Sequence, residues 1–387
     1  MTGTGSQSVD VAVIGGGVIG LAVAWRAQAR GLRVVVLERG RAGAGTSYVA
    51  AGMLAPVAEV TPGEAPLLEL GLRSARAYPR FLAELADAAA LEPAALGYTP
   101  CGTLLVARDG DEAQALEREL ALRARLRLPV ERLRPSEARR REPGLAPALR
   151  LALDVPGDHA IDPRALTAAL VRAIVRGGGE VREQAEVAGV SVAEERVTGV
   201  RMADGSALAA GQVVIAAGVW STRLQGIPAA AEVPVHPVKG QIMRLHDPAG
   251  PGLLTRVIRM GPSYVVPRGD GRYVIGATSE ERGFDTTVTA GAAFELLRDA
   301  SELVPGISEW ALDEFRAGLR PGTPDNLPAI GPGVLGGLHW AVGHRRGGIL
   351  LAPVTAELVA GALDGEPADD MAAPFAPERF ASVGNAA

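Results

Sequence analysis

Short apolar runs bounded by glycine form the first pattern along the chain. Val9–Ile14 is such a run; a helical segment over Ile19–Ala29, ended by Gly31, follows, and then a second run over Arg33–Glu38. A strand buried on both faces needs no polar alternation, so an unbroken apolar run is what a parallel strand looks like. Together the three segments read as a strand–helix–strand unit. After a loop rich in Gly, Ala and Ser over residues 40–52, Leu67, Leu70, Ser74, Tyr78, Phe81 and Leu85 recur at helical spacing on one face. Residues 112–127 alternate leucines with charges and predict a helix whose charges are solvated.

A second strand–helix–strand pass covers residues 158–181. Asp162 is placed to cap the helix, Pro163 to open it, and Gly177 to Gly179 to end it. Asp204-Gly205 predicts a hairpin, and the run "QVVIAAG" ending at Gly218 a fourth buried strand. From Val233 to Ala277 apolar and polar residues alternate, which predicts an antiparallel sheet with one face partly covered. Helices are expected over Ala290–Leu303 and from Gly347 to Leu363. Because the nucleotide-type segments stand at both ends and in the middle, the second lobe is inserted. The expected division is residues 1–85, 146–228 and 311–387 in one discontinuous domain and 86–145 with 229–310 in the other.

Composition narrows the function. A chain of 387 residues with 48% apolar and 21% charged residues is globular and long enough for two lobes. A net charge of −5 without blocks of one sign excludes nucleic acid as the principal partner. Lys239 is the sole lysine, so a single arginine carries little information until a motif singles it out. Cys101 is the sole cysteine, which excludes intrachain disulfides and Cys-based zinc sites and points to a reducing, cytoplasmic setting. His236, His246 and His339 have no partners at metal-ligand spacing, so no metal is expected. No secretion signal is expected ahead of the strand at Val9, because residues 1–8 carry no basic stretch followed by an apolar one, and no apolar run has the length of a membrane span.

Gly15, Gly17 and Gly20 form G-x-G-x-x-G between the first strand and its helix. The pattern suits a pyrophosphate: Gly15 for the tight turn, Gly17 for close approach at the first-turn residues Val18 and Ile19, Gly20 for helix–strand packing. Glu38 ends the second strand where a ribose-binding carboxylate belongs, which leaves FAD or NAD. The small, hydroxyl-bearing stretch 43–59 favours a flavin, with Thr46 and Ser47 as hydrogen-bonding groups and Ala50 to Gly52 passing close to the ring.

"IGGGVIG", "TSYVAAGML", "AAGVWS", "PVKGQ", "YVVPR", "GLRPGTPDNLPAIG" and "GHRRGGILLAP" follow one another in the order found in the D-amino-acid-oxidase-like flavoproteins. From about Val9 to about Leu363 the chain resembles that family, and within it the glycine-oxidase branch of thiazole (thiamine) biosynthesis. The resemblance implies a two-lobed α/β fold, a Rossmann-type FAD-binding domain with an inserted antiparallel-sheet substrate domain. It implies noncovalent FAD and oxidation of glycine, related small amines or D-amino acids. The imine formed would become a 2-oxo acid and ammonia while oxygen becomes hydrogen peroxide. Some relatives hold flavin through a cysteine near the last motif, where this chain has none.

The same resemblance places Arg320 on the substrate carboxylate, Tyr264 in the substrate site and Arg346 near carboxylate and flavin. Arg345 is expected to face away from the substrate carboxylate. It further implies cofactor contacts at Arg39, Ala51, Met53, Val187, Ala217, Gly218, Trp220, His344, Arg345, Gly347, Gly348 and Ile349. The helix from Gly347 is expected to aim its N-terminus at the flavin pyrimidine edge, where reduction leaves negative charge. Lys239 is expected near the flavin, and His344 is given no role as a base, because the flavin carries the redox chemistry. Pro262 and Ser279 stand where glycine oxidases carry histidine and methionine, so the pocket wall differs. A D-amino acid or sarcosine oxidase, a quinone-linked dehydrogenase and a non-catalytic nucleotide-binding module stay open. The expected partners are a small amine or amino acid, oxygen and further copies of the chain.

Overall fold

The computed structural model describes residues 8–381; the expectations for residues 1–7 and 382–387 lie outside them. The first strand, Val9–Ile14, is the axis of a sheet in which it pairs in parallel with Val34–Leu37 on one side and Ala207–Ile215 on the other. Glu180–Arg182 and Leu338–Val342 extend it in parallel. The unbroken apolar runs are explained by two covered faces. Val11, Val13, Val34 and Val36 pack under the helices Val18–Ala29, Ala65–Ala89, Pro163–Arg176 and Gly348–Leu363. Ala12, Ile14, Val35 and Leu37 pack on the other side with Val190, Val197 and Val200 of an antiparallel meander. Asp162 caps its helix by accepting the Arg164 N–H at 2.9 Å, and Asp204-Gly205 turns the chain between Arg196–Met202 and Ala207–Ile215.

The second sheet runs Ala311–Gly322, His236–His246, Arg272–Gly276, Ser263–Pro267, Val257–Met260, Thr103–Ala107, Leu151–Val155, Glu131–Leu133. Its alternation is resolved into two faces. Met243, Leu245, Val265 and Ile275 pack with Leu296, Ala300 and Leu303 of the helix Ala290–Leu303, while the opposite face is turned toward the first lobe. This corrects the expected division at two places. Ala311–Gly322 pairs along its length with His236–His246, and Leu151–Val155 pairs with Thr103–Ala107. Both belong to the inserted sheet because their hydrogen bonds are satisfied there.

The solvated charges of the helix Gly110–Arg125 have one exception. Arg123 is buried and donates to Val57 O at 3.0 Å and Ala58 O at 2.8 Å. No helix among the described residues is long and apolar enough to cross a membrane.

Candidate functional site

A cavity of about 840 Å3 extends from the edge of the parallel sheet to the inward face of the second sheet. Its first end is mostly backbone. Gly15 has φ +108°, and a Cβ there would stand 2.6 Å from Ala216 O. The helix behind it makes its first internal bond from Leu21 N–H to Gly17 O. Val18 N–H is taken by Ser47 Oγ at 3.0 Å and Gly16 N–H by Glu38 Oε2 at 2.8 Å. The N–H groups of Gly17 and Ile19, both on the cavity wall, find no acceptor among the described residues. Free donors at the positive end of a helix fit a pyrophosphate. Glu38, held also by Gly40 N–H at 2.8 Å, keeps acceptor capacity for ribose hydroxyls at the same end.

Arg39 stacks on the Trp220 ring, 3.7 Å from its centroid, and both line this end with Val187, Ala217 and Gly218. Thr46, Ser47, Ala51, Gly52 and Met53 line the middle. The Thr46 hydroxyl is spent on Leu319 O at 2.7 Å, which ties the two lobes together. Arg268 donates to Ala51 O at 2.6 Å and Ile161 O at 3.0 Å, and burial lowers its pKa to about 10. Gly20, expected among the cofactor contacts, does not line the cavity; a side chain there would collide with Gly15 O, so its smallness acts through helix–strand packing.

A second helix N-terminus meets the middle of the cavity. Gly348 and Ile349 line it, and the first internal bond of Gly348–Leu363 runs from Leu351 N–H to Gly347 O. The N–H groups of Gly348 and Ile349 find no acceptor among the described residues, and free donors at the positive end of a helix suit a bound group that gathers negative charge. Gly347 itself lines only a smaller neighbouring cavity of about 60 Å3, which corrects its placement against the cofactor. Pro353 lies inside this helix and offers no N–H to Ile349 O. Tyr78 supplies the missing donor through its phenol. Ser74 donates to Leu350 O at 2.6 Å. His344 is buried beside this turn and bonded to Thr355 Oγ1 at 3.0 Å; burial lowers its pKa to about 3, so the imidazole is neutral.

The far end is made of side chains. Arg320 lies over Gly240, where any Cβ would strike its guanidinium, and donates to Thr278 O at 3.1 Å. No carboxylate pairs with it among the described residues. Tyr264 stands opposite Gly276 on the next strand, again with no room for a Cβ, and burial raises the phenol pKa. Pro262 and Ser279 are on the same wall.

The arginine pair departs from expectation. Arg345, expected away from the substrate carboxylate, lines the cavity, is half-buried and bonds Asn326 Oδ1. Arg346 also lines the cavity but has 41% of its side chain exposed and reaches Glu59 O at 3.3 Å and Glu64 at 3.7 Å. Lys239 is corrected as well. Strand alternation puts Val238, Gly240 and Ile242 on the cavity and turns Lys239 to the other face, where its Nζ bonds Asp285 at 2.7 Å.

Two charged residues of the far end escaped the sequence reading. Arg259 is the cross-strand neighbour of Tyr264 and shares its face. The alternation in "RVIRM" is the signal that marks it. Glu59 comes from a loop with no local signature. Asp158 accepts the Val57 and Ala58 N–H groups at 3.3 and 2.6 Å, while Arg123 binds their carbonyls. Burial pushes the Asp158 pKa up to about 7. No group of three or more His, Cys, Asp or Glu side chains is arranged to hold a metal among the described residues.

Known proteins share this architecture. The glycine oxidase of Geobacillus kaustophilus is 37% identical over 353 residues, covering 91% of this chain and 92% of its own. A glycine oxidase crystal structure from that organism superposes with a TM-score of 0.88 at 35% identity, over 95% of this chain and 98% of that one. The bifunctional protein ThiO/ThiG of Synechocystis is 36% identical over 97% of this chain, which spans 55% of that longer protein. The family model described as DAO, FAD dependent oxidoreductase, matches residues 10–362, so the chain belongs to the FAD-dependent oxidoreductases of the DAO family.

Proposed function

We propose that the chain is an amine oxidase that takes glycine and related small amines or D-amino acids and serves thiazole formation in thiamine biosynthesis. The observation that carries this reading is Arg320. Among the described residues no carboxylate pairs with its planar cation, which lies over a glycine in a cavity continuous with the dinucleotide cradle. A guanidinium so placed grips a carboxylate with two parallel hydrogen bonds and fixes the adjacent Cα–H. Gly17, Val18, Ile19 and Glu38 would hold FAD, which when bound would supply the two-electron acceptor that oxygen reoxidises with release of hydrogen peroxide.

The residues do the rest by orientation. The Tyr264 phenol, kept protonated, donates toward the substrate's carboxylate or amine. Neutral His344 serves as packing beside the second helix N-terminus and takes no proton. Pro262 and Ser279 shape the wall against which the substrate's substituent lies. A cytoplasmic homo-oligomer completes the reading.

Initial rates and peroxide yield in air on glycine, sarcosine, D-alanine and D-proline test it. Peroxide equal to amine consumed is expected. Turnover without peroxide would make the protein a dehydrogenase, and absence of turnover on all four would end the amine-oxidase reading.

A further inference from the structure

We propose that Lys239 is a positioning residue for the substrate's carboxylate: it anchors the strap Ala277–Thr289, whose Thr278 carbonyl sets the guanidinium of Arg320. The proposal rests on the reading of Arg320 given above and adds the residue that holds it in place. The strap joins the strand Arg272–Gly276 to the helix Ala290–Leu303. Its first three residues, Ala277, Thr278 and Ser279, line the cavity. Thr278 O accepts from Arg320 Nη1 at 3.1 Å, and Lys239 O stands 3.5 Å from the same nitrogen. These are the guanidinium's partners among the described residues, so the junction of strap and strand decides how it points.

That junction is held by polar ties more than by burial. Residues 281–283 and 285–289 are exposed, and Phe284, half-buried against Trp220, is the strap's large apolar contact. The ties lie on the face of His236–His246 that is turned away from the cavity. Lys239 and Glu280 exchange both backbone hydrogen bonds at 2.9 Å. Gln241 N–H donates to Thr278 Oγ1 at 3.0 Å, its Nε2 donates to Glu280 Oε1 at 2.8 Å, and its Oε1 accepts the Thr289 N–H at 2.9 Å. The Lys239 ammonium completes the set, bonding Asp285 at 2.7 Å and standing 3.9 Å from Glu280. It holds the Asp285 carboxyl well below the usual carboxylate range.

The residue type fits the role. Lys239 is the sole lysine in a chain whose other permanently cationic side chains are all arginine. Its side chain is 1% exposed and ends between Asp285 and Glu280. An ammonium is compact and turns three donors toward whatever acceptors surround it, whereas a guanidinium is a broad plane. Paired with a carboxylate that is itself half-exposed, the cation adds little net stability. Its effect is therefore expected in where the strap sits, and through it in how Arg320 meets a carboxylate.

The test uses the FAD-loaded full chain and glycolate, which has the carboxylate of glycine and no amine. The glycolate dissociation constant, read from the flavin spectrum, should rise about tenfold in K239M, the worth of one charge-assisted hydrogen bond out of place. KM for glycine should rise by a similar factor, while kcat changes by less than about twofold and flavin content stays the same. D285A removes the partner from the exposed side, with no change in the core, and should shift binding about threefold in the same direction. A tie that is only structural would lower Tm and leave glycolate binding where it was. The sharper comparison is K239M in an R320K background, where the guanidinium is already gone. If Lys239 acts through Arg320, the added change costs less than about twofold there.

If glycine is oxidised yet glycolate binds equally to wild type, K239M and D285A, the inference is overturned and the amine-oxidase reading stands. A full loss from K239M in the R320K background overturns it as well. If no amine is oxidised but glycolate binding weakens in K239M and D285A, the amine-oxidase reading fails and the positioning role stands. If the wild type binds neither glycine nor glycolate, both fall.

Discussion

The two ends of the cavity are built from different material. At the dinucleotide end the groups left free on the cavity wall are backbone N–H donors of Gly17 and Ile19, with Glu38 held in place by Gly16 and Gly40. At the substrate end they are side chains, Arg259 and Tyr264 from the two strands of one hairpin and Arg320 from a strand much later in the chain. Backbone donors depend on local conformation, and local conformation depends on a few glycines in a row. A cluster of side chains depends on register across a sheet. Changes at the first end should remove the cofactor, and changes at the second should leave it bound and alter the substrate.

The largest expected effect breaks the second end alone. R320M removes one partner of a charged pair, a loss of roughly 3–5 kcal/mol, so kcat/KM on glycine should fall by about two to four orders of magnitude while the protein stays yellow. Loss of flavin would erase the distinction between the ends. The converse change is G20V, which drives a side chain into Gly15 O. Overpacking of this kind costs about 1–3 kcal/mol, so FAD affinity should drop about tenfold or more, measured by flavin retained after dialysis. A glycine KM that moved while FAD stayed bound would contradict that assignment.

A subtler change lies between the ends. Y78F strands Ile349 O, which Pro353 already deprives of a helical partner. An unmade buried acceptor costs about 1–3 kcal/mol, read as a lower Tm. P353A supplies an N–H, so Y78F should cost less in that background; equal cost would refute the link.

Legibility in the sequence followed the same division. The first strand, the glycine turn, Glu38, the cap at Asp162 and the helix over Ala290–Leu303 are all local patterns, and each stands where its pattern puts it. The motif resemblance put Arg320 and Tyr264 on the cavity wall. Arg259 and Glu59 were not read, because one is identified by its neighbour on the next strand and the other by a loop pinned from Asp158 and Arg123. Lys239 was misplaced for a related reason: its motif was recognised, but a strand turns alternate residues to opposite faces. The segment 311–322 was assigned to the wrong lobe because a strand's allegiance is set by what it pairs with.

The smallest effect on activity is expected at His344, whose influence is on stability. His344 is held to about 3 by burial, below its unfolded value. The unfolded chain therefore binds the proton first, and this residue's share of stability is present above about pH 6.5 and lost as pH falls toward 3. Urea unfolding between pH 7 and 4 should show stability falling with pH, and H344N should flatten the slope. The log kcat/KM profile from pH 5 to 9 should carry no inflection that H344N removes.

The central claim is that one end of the cavity holds the cofactor and the other holds the substrate's carboxylate. It is tested most directly by anaerobic titration of yellow wild-type and R320M protein with glycine, following flavin absorbance. Wild type should bleach, and R320M, with the same flavin content, should stay yellow at glycine concentrations that bleach the wild type completely. Bleaching of R320M at those same concentrations would contradict the account.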